Sequence, residues 1–157
     1  MNKNSGISII EVIISVSIIL TVGVSFAGGL SKSLYISNKA LQVSQASWLL
    51  EDSAEAIKTI RDTNWSNISG LTPNVSYYLV FDTNNSTWSL TQTNPGPIDG
   101  VFVRSIIFLP VNRDANDDIA AVGTNDDNTK YVNITVSWKI ADVTVSKNLD
   151  FYISKIF

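Results

Sequence analysis

Ile7-Ser8-Ile9-Ile10-Glu11-Val12-Ile13-Ile14 opens a run that stays apolar to Leu30, and between Val12 and Ser31 there is no charged residue. A helix needs about 20 largely apolar residues to cross a hydrocarbon core of roughly 30 Å, so this stretch has the length of one membrane span. Glu11 is the anomaly in it. An ionised carboxylate at bilayer depth costs about 2.5–3.5 kcal/mol on insertion scales, and such a group normally has a partner. The span itself contains no basic residue. The partner must come from another molecule or from a new amino terminus.

The rest of the composition is restrictive. The chain has 157 residues, 11 Lys+Arg against 14 Asp+Glu, no Cys and no His. That length predicts one domain with an appendage. A net charge of −3 argues against a nucleic-acid partner, which calls for a basic face. Without Cys there is no disulfide framework and no thiolate metal site. Without His the commonest general base and transition-metal ligand are missing, which excludes Ser-His-Asp, Cys-His and zinc-hydrolase chemistry.

Three readings of the apolar run compete. Ser25-Phe26-Ala27 before Gly28 is an acceptable small-x-small signal-peptidase site, which would release a secreted binding module after Ala27. The run is longer than the 7–15 residues usual for a signal core, however, and it contains Glu11. A plain single-pass anchor explains the length but not the carboxylate. In either anchored reading Lys3 keeps the amino terminus in the cytoplasm and the remainder outside.

The third reading is a resemblance. Gly6-Ile7-Ser8-Ile9-Ile10-Glu11-Val12 resembles the processing site of type IV prepilins and pseudopilins: a short polar leader ending in Gly, an apolar first mature residue, and Glu at the fifth mature position before a long apolar helix. The resemblance implies that a prepilin peptidase cuts between Gly6 and Ile7 and methylates the new Ile7 amine. It also implies that other pilin subunits assemble through the N-terminal helix, with the Ile7 ammonium of one subunit neutralising Glu11 of the next. Ile7 stands where major pilins usually carry Phe, which moves the resemblance toward a minor subunit. Gly28-Gly29 stands where many carry a kinking Pro; two Gly weaken a helix by roughly 2 kcal/mol relative to Ala, so a soft point is expected there.

Past the span, Ser31 to Arg61 contains neither Pro nor Gly. On a wheel of 100° per residue its apolar positions fall into two stripes. Leu30, Leu34, Leu41 and Trp48 form one; Val43, Ala46, Leu50, Ala54 and Ile57 form the other, with Glu51, Glu55 and Lys58 as a solvated arc between them. A surface helix needs only one apolar stripe. The second stripe is therefore assigned to this chain's own sheet and the first to neighbouring helices. A helix from Ile7 to Arg61 would measure roughly 82 Å at 1.5 Å per residue, more than a domain of about 100 residues can bury. Asp62, Thr63, Asn64 and Asn67 then favour a turn.

Beyond Pro73 the period changes from helical to two. Tyr77–Phe81, Thr87–Thr91, Val101–Val111, Tyr131–Trp138 and Val143–Ile156 read as strands, with a tight turn at Ala141-Asp142. Phe102, Arg104, Ile106 and Phe108 share one face of the third; Val132, Ile134, Val136 and Trp138 share the buried face of the fourth. Hairpin-length links predict an antiparallel sheet, and the helix is its cover. The predicted fold class is α+β and pilin-like, with the second half of a long N-terminal helix on a small antiparallel sheet. Its segments are a leader (1–6), a transmembrane and assembly helix (7–30), an amphipathic continuation (31–61) and a sheet domain (62–157).

Asn112 to Asn128 is expected to be a polar hairpin loop. Five Asp fall within 14 residues there, and oxygen-rich clusters of this kind can hold Ca²⁺. Asp114, Asn116 and Asp118, with Asp126 and Asp127, are the candidate ligands. Ile119 occupies the position where an EF-hand needs Gly, and no Glu closes the loop, so it is not an EF-hand. Asn-x-Ser/Thr occurs at Asn64, Asn67, Asn74, Asn84, Asn85 and Asn133, as expected from 15 Asn, 20 Ser and 12 Thr rather than from glycosylation. Trp65, Trp88, Trp138, Tyr77 and Tyr78 read as core and turn residues rather than as a carbohydrate platform. The expectation is a structural subunit of a type IV pilus or a secretion-type filament, held in the cell membrane before assembly. No catalytic residue and no cofactor are expected, the calcium loop aside.

Overall fold

The structure, a computed structural model, describes residues 8–156. Helix α1 runs Ile9–Thr63 and passes through Gly28 and Gly29 without a break. The chain divides into two compact units that meet between Gln42 and Val43. In the second unit the helix ends at Thr63, two residues later than expected. Ser66–Ser69 then makes one further turn, α2, where only a turn was predicted. The Oδ1 of Asn64 accepts the Ser66 amide at 2.9 Å and starts that turn. Ile68 fixes it by being fully buried.

Six strands follow: β1 (Ser76–Asp82), β2 (Thr87–Thr91), β3 (Val103–Arg113), β4 (Ile119–Ala120), β5 (Thr124–Ile140) and β6 (Val143–Ser154). The sheet order is β2-β1-β3-β5-β6, with β4 paired to β3, and every pairing is antiparallel. The α+β class and the antiparallel sheet are as predicted. The polar stretch from Asn112 to Asn128 is not a simple loop, however. It contains β4, and β5 begins at Thr124 instead of Tyr131. Pairing with β3 imposes strand there on residues whose side chains carry no apolar alternation.

Pro110 explains a fault in that pairing. It opposes Lys130, whereas its neighbour Val111 opposes Asp126, so Asp127–Thr129 form an irregularity in β5. Proline has no N–H to donate to a ladder, and sheets accommodate it at edges or bulges. Gly123 meets a second constraint. A Cβ there would lie 2.0 Å from the Arg113 carbonyl oxygen, so only glycine lets the chain pass.

The core of this unit lies between the second part of α1 and one face of the sheet. Phe102, Ile106 and Phe108 from one side and Val132, Ile134, Val136 and Trp138 from the other are buried, in the alternation the sequence predicts. Ile106 stands opposite Ile134 and Phe108 opposite Val132. From α1 come Ala46, Leu49, Leu50, Ser53, Ala54, Ala56, Ile57 and Ile60. Four of the five residues in the expected covering stripe are therefore buried; Val43, at the unit's edge, is exposed. The small residues Ala46, Ser53 and Ala54 allow close approach to the strands. Trp48 and Glu51, Glu55 and Lys58 are exposed.

Candidate membrane and assembly surface

From Ser8 to Leu41 every side chain is exposed. Ile10, Ile14, Ile18, Val22 and Phe26 stand among them without any cover from the chain. A helix that is apolar on all sides belongs in a core or in a bilayer. The 18-residue window that qualifies as a span is 0% buried, so this chain's own core is not its environment. The apolar part of this helix has the length to cross a membrane.

Its hydroxyls show how the span tolerates polar residues. Ser17 donates to the Ile13 carbonyl at 2.8 Å, Thr21 to Ser17 at 2.8 Å and Ser25 to Thr21 at 2.9 Å. Each donor is satisfied four residues back along the same helix, so none needs water or a neighbour.

Glu11 has no such arrangement. It lies in the first turn of α1, where its own amide donates to the Ser8 carbonyl at 3.0 Å. Its side chain is exposed, among Ile9, Ile10, Val12 and Ile14. A carboxylate in the first turn gains about 0.3–1 kcal/mol from the helix dipole. That is too little to offset burial of the charge in lipid at about 2.5–3.5 kcal/mol. Gly6 and Ile7, the expected cleavage and methylation positions, lie outside the described residues.

The Asp-rich region is held together by its own hydrogen bonds. Arg113 Nε donates to Asp126 Oδ2 at 2.7 Å, and Arg113 Nη1 donates to the Asp117 carbonyl at 2.7 Å. Asp114 Oδ1 accepts the amides of Asn116 and Asp118, at 2.8 and 3.1 Å. Asp127 accepts from the side chain of Asn125. Asp118 contributes its carbonyl to the Asp114 amide. Among the described residues no three acidic side chains are grouped so as to hold a metal ion between them. The Arg113 bond, followed by one from Thr129, holds the Asp126 carboxyl below its ordinary value of 3.8. The unfolded state therefore takes up protons first, and this contribution is present above about pH 4 and lost on acidification.

The sequence places Arg104 on the same strand face as Phe102, Ile106 and Phe108 but does not give its partner. Arg104, on the buried face of β3, donates through Nη1 to Asp52 Oδ2 at 2.8 Å and to the Ser53 hydroxyl at 3.3 Å. A guanidinium on an apolar sheet face demands an acceptor from whatever covers that face, and Asp52 of α1 supplies it. No family model, curated protein or solved structure matches this chain.

Proposed function

We propose that this chain is a type IV pilin-like structural subunit, a minor pilin or pseudopilin. It is held in the cell membrane by its N-terminal helix before joining a pilus or secretion-type filament. It works by assembly and not by catalysis. The observation that carries the reading is Glu11: it is the sole charge between Ile9 and Ser31 in a helix that this chain leaves uncovered. For a lone subunit that charge costs more than the helix dipole returns. A bundle of such helices does, because the ammonium of Ile7, freed by cleavage after Gly6 and methylated, gives Glu11 of a neighbour its counter-ion. The amino terminus then faces the cytoplasm and the sheet unit the outside, in keeping with Lys3 ahead of the span.

The test has two parts. Mass spectrometry of the mature chain should find a start at Ile7 with one added methyl group; a start at Gly28 would identify a secreted module instead. Glu11→Ala should insert into the membrane at least as well as the parent. In a filament it leaves the partner ammonium buried and uncompensated, a loss of about 3–5 kcal/mol. At about 1.4 kcal/mol per tenfold, incorporation should fall by two to three orders of magnitude. Parental amounts of Glu11→Ala in sheared filaments would remove the reason for the charge, and with it this reading.

A further inference from the structure

The exposed side of the sheet unit carries a cleft at Trp48, the last residue of the stripe assigned above to neighbouring helices. It measures about 450 Å³ and lies between α1 and the β1–β2 hairpin. Trp48 and Asp52 line it from the helix, Phe81 and Trp88 from the hairpin, and Arg104 from β3. The volume falls within the range of small-ligand sites. Trp48 is 65% exposed, an unusual position for the largest apolar side chain. Phe81 and Trp88 pack with their rings tilted at 56° and centroids 4.9 Å apart, and the Arg104 guanidinium lies 5.6 Å from the Trp88 ring.

The polar groups narrow the class of occupant. Both line the cleft, the Arg104 side chain 7% exposed and that of Asp52 30%. Among the described residues only Nη1 of Arg104 donates to protein acceptors. A guanidinium has five N–H donors, so those on Nε and Nη2 remain available, as do lone pairs on Asp52. An apolar protein surface pressed into the cleft would strip these groups of water and leave them unpaired. A phosphate or carboxylate ligand would be repelled by Asp52. A ring with one C–H face and hydroxyls around its edge meets both demands. Its apolar face lies on an indole, and its hydroxyls accept from Arg104 and donate to Asp52.

We propose that this cleft binds a neutral saccharide, with Trp48 as the stacking platform and the Arg104–Asp52 pair as the hydroxyl-reading group. The site is independent of how the chain assembles through its first unit. Recognition of this kind would give a surface-displayed subunit a glycan-contacting activity of its own.

The experiment uses the full chain in micelles of a detergent without a sugar headgroup. It is presented to an array of neutral hexose and N-acetylhexosamine oligosaccharides, and the strongest binder is then titrated by tryptophan fluorescence. Saturable binding is expected. Trp48→Ala should weaken it at least about tenfold, equivalent to about 1.4 kcal/mol, and Asp52→Asn should weaken it too. Tyr152→Ala, exposed and outside the cleft, should bind as the parent does. Thermal unfolding of Trp48→Ala should match the parent, which separates lost binding from lost structure. Failure to bind any member of the array overturns the proposal, as does parental affinity in Trp48→Ala. Trp48-dependent self-association without saccharide binding would show the occupant to be a second copy, and would overturn it equally.

Discussion

Two stretches of one helix obey the same period and face opposite problems. Ile9–Leu30 is apolar around nearly its whole circumference and buries nothing against the chain; Val43–Thr63 divides into a buried face and a charged one. In the second stretch Leu49, Leu50, Ala54, Ile57 and Ile60 are satisfied by strands of the same molecule. In the first, isoleucines and valines of equal hydrophobicity are left uncovered. Hydrophobicity alone does not place a residue inside. What matters is whether the chain supplies a matching surface, and only the second stretch has one. The first stretch must find its surface elsewhere, in lipid or in other helices.

The largest effect should come from breaking the first stretch. Ile18→Arg with Val22→Arg places two charges one turn apart in the span, each opposing insertion by about 2.5–3.5 kcal/mol. The double variant should leave the membrane fraction, while its near-ultraviolet circular dichroism melts at the parental temperature because the sheet unit is untouched. Retention in the membrane at parental levels would show that the span is not what holds the protein there.

Next comes a pair of residues two positions apart. Leu50 is 4% exposed and Trp48 is 65% exposed. Leu50→Asp removes a core side chain and buries an unpaired carboxylate, which should cost about 4 kcal/mol or more against a total of about 5–15. Trp48→Asp should change stability by no more than about 0.5 kcal/mol. Thermal unfolding of the full chain in micelles measures both. Equal melting temperatures would mean that a different face of α1 is turned toward the sheet.

The same contrast explains what is legible in the sequence. Val132, Ile134, Val136 and Trp138 alternate because one face of β5 is buried, and the covering stripe on α1 repeats at helical spacing for the same reason. Both halves of the main core therefore leave their mark on residue order. The strand at Ile119–Ala120 and the first residues of β5 leave none, since Thr124, Asn125 and Asp127 are exposed and their pairing with β3 imposes no pattern on side-chain type. The candidate sites divide likewise. Glu11 is conspicuous because a charge interrupts an apolar run. Asp52 is one carboxylate among several on α1, and only the register of helix against sheet brings it to Arg104, 52 residues away. The Trp48 cleft needs three separate segments in place for it to exist.

The smallest effect expected is at the turn that fixes the register of the last two strands. Ile140 opposes Val143, so Ala141 and Asp142 form a two-residue hairpin loop, as the sequence predicted. Loops of this length favour residues with positive φ, because that twist matches the strands they join. Ala141 has a φ of 54°, a conformation in which a Cβ crowds the following carbonyl at a cost of roughly 1–2 kcal/mol. Replacing it with glycine removes that crowding but adds about 0.5–1 kcal/mol of backbone entropy to be lost on folding. Ala141→Gly should therefore stabilise the sheet unit by about 0.5 kcal/mol, raising its melting temperature by about 1–2 °C for a chain of this size. Ala141→Val adds a branched Cβ to the same backbone and should lower it. If the valine variant melts above the glycine variant, Ala141 does not hold a positive φ and the register of β5 on β6 is set by the strands alone.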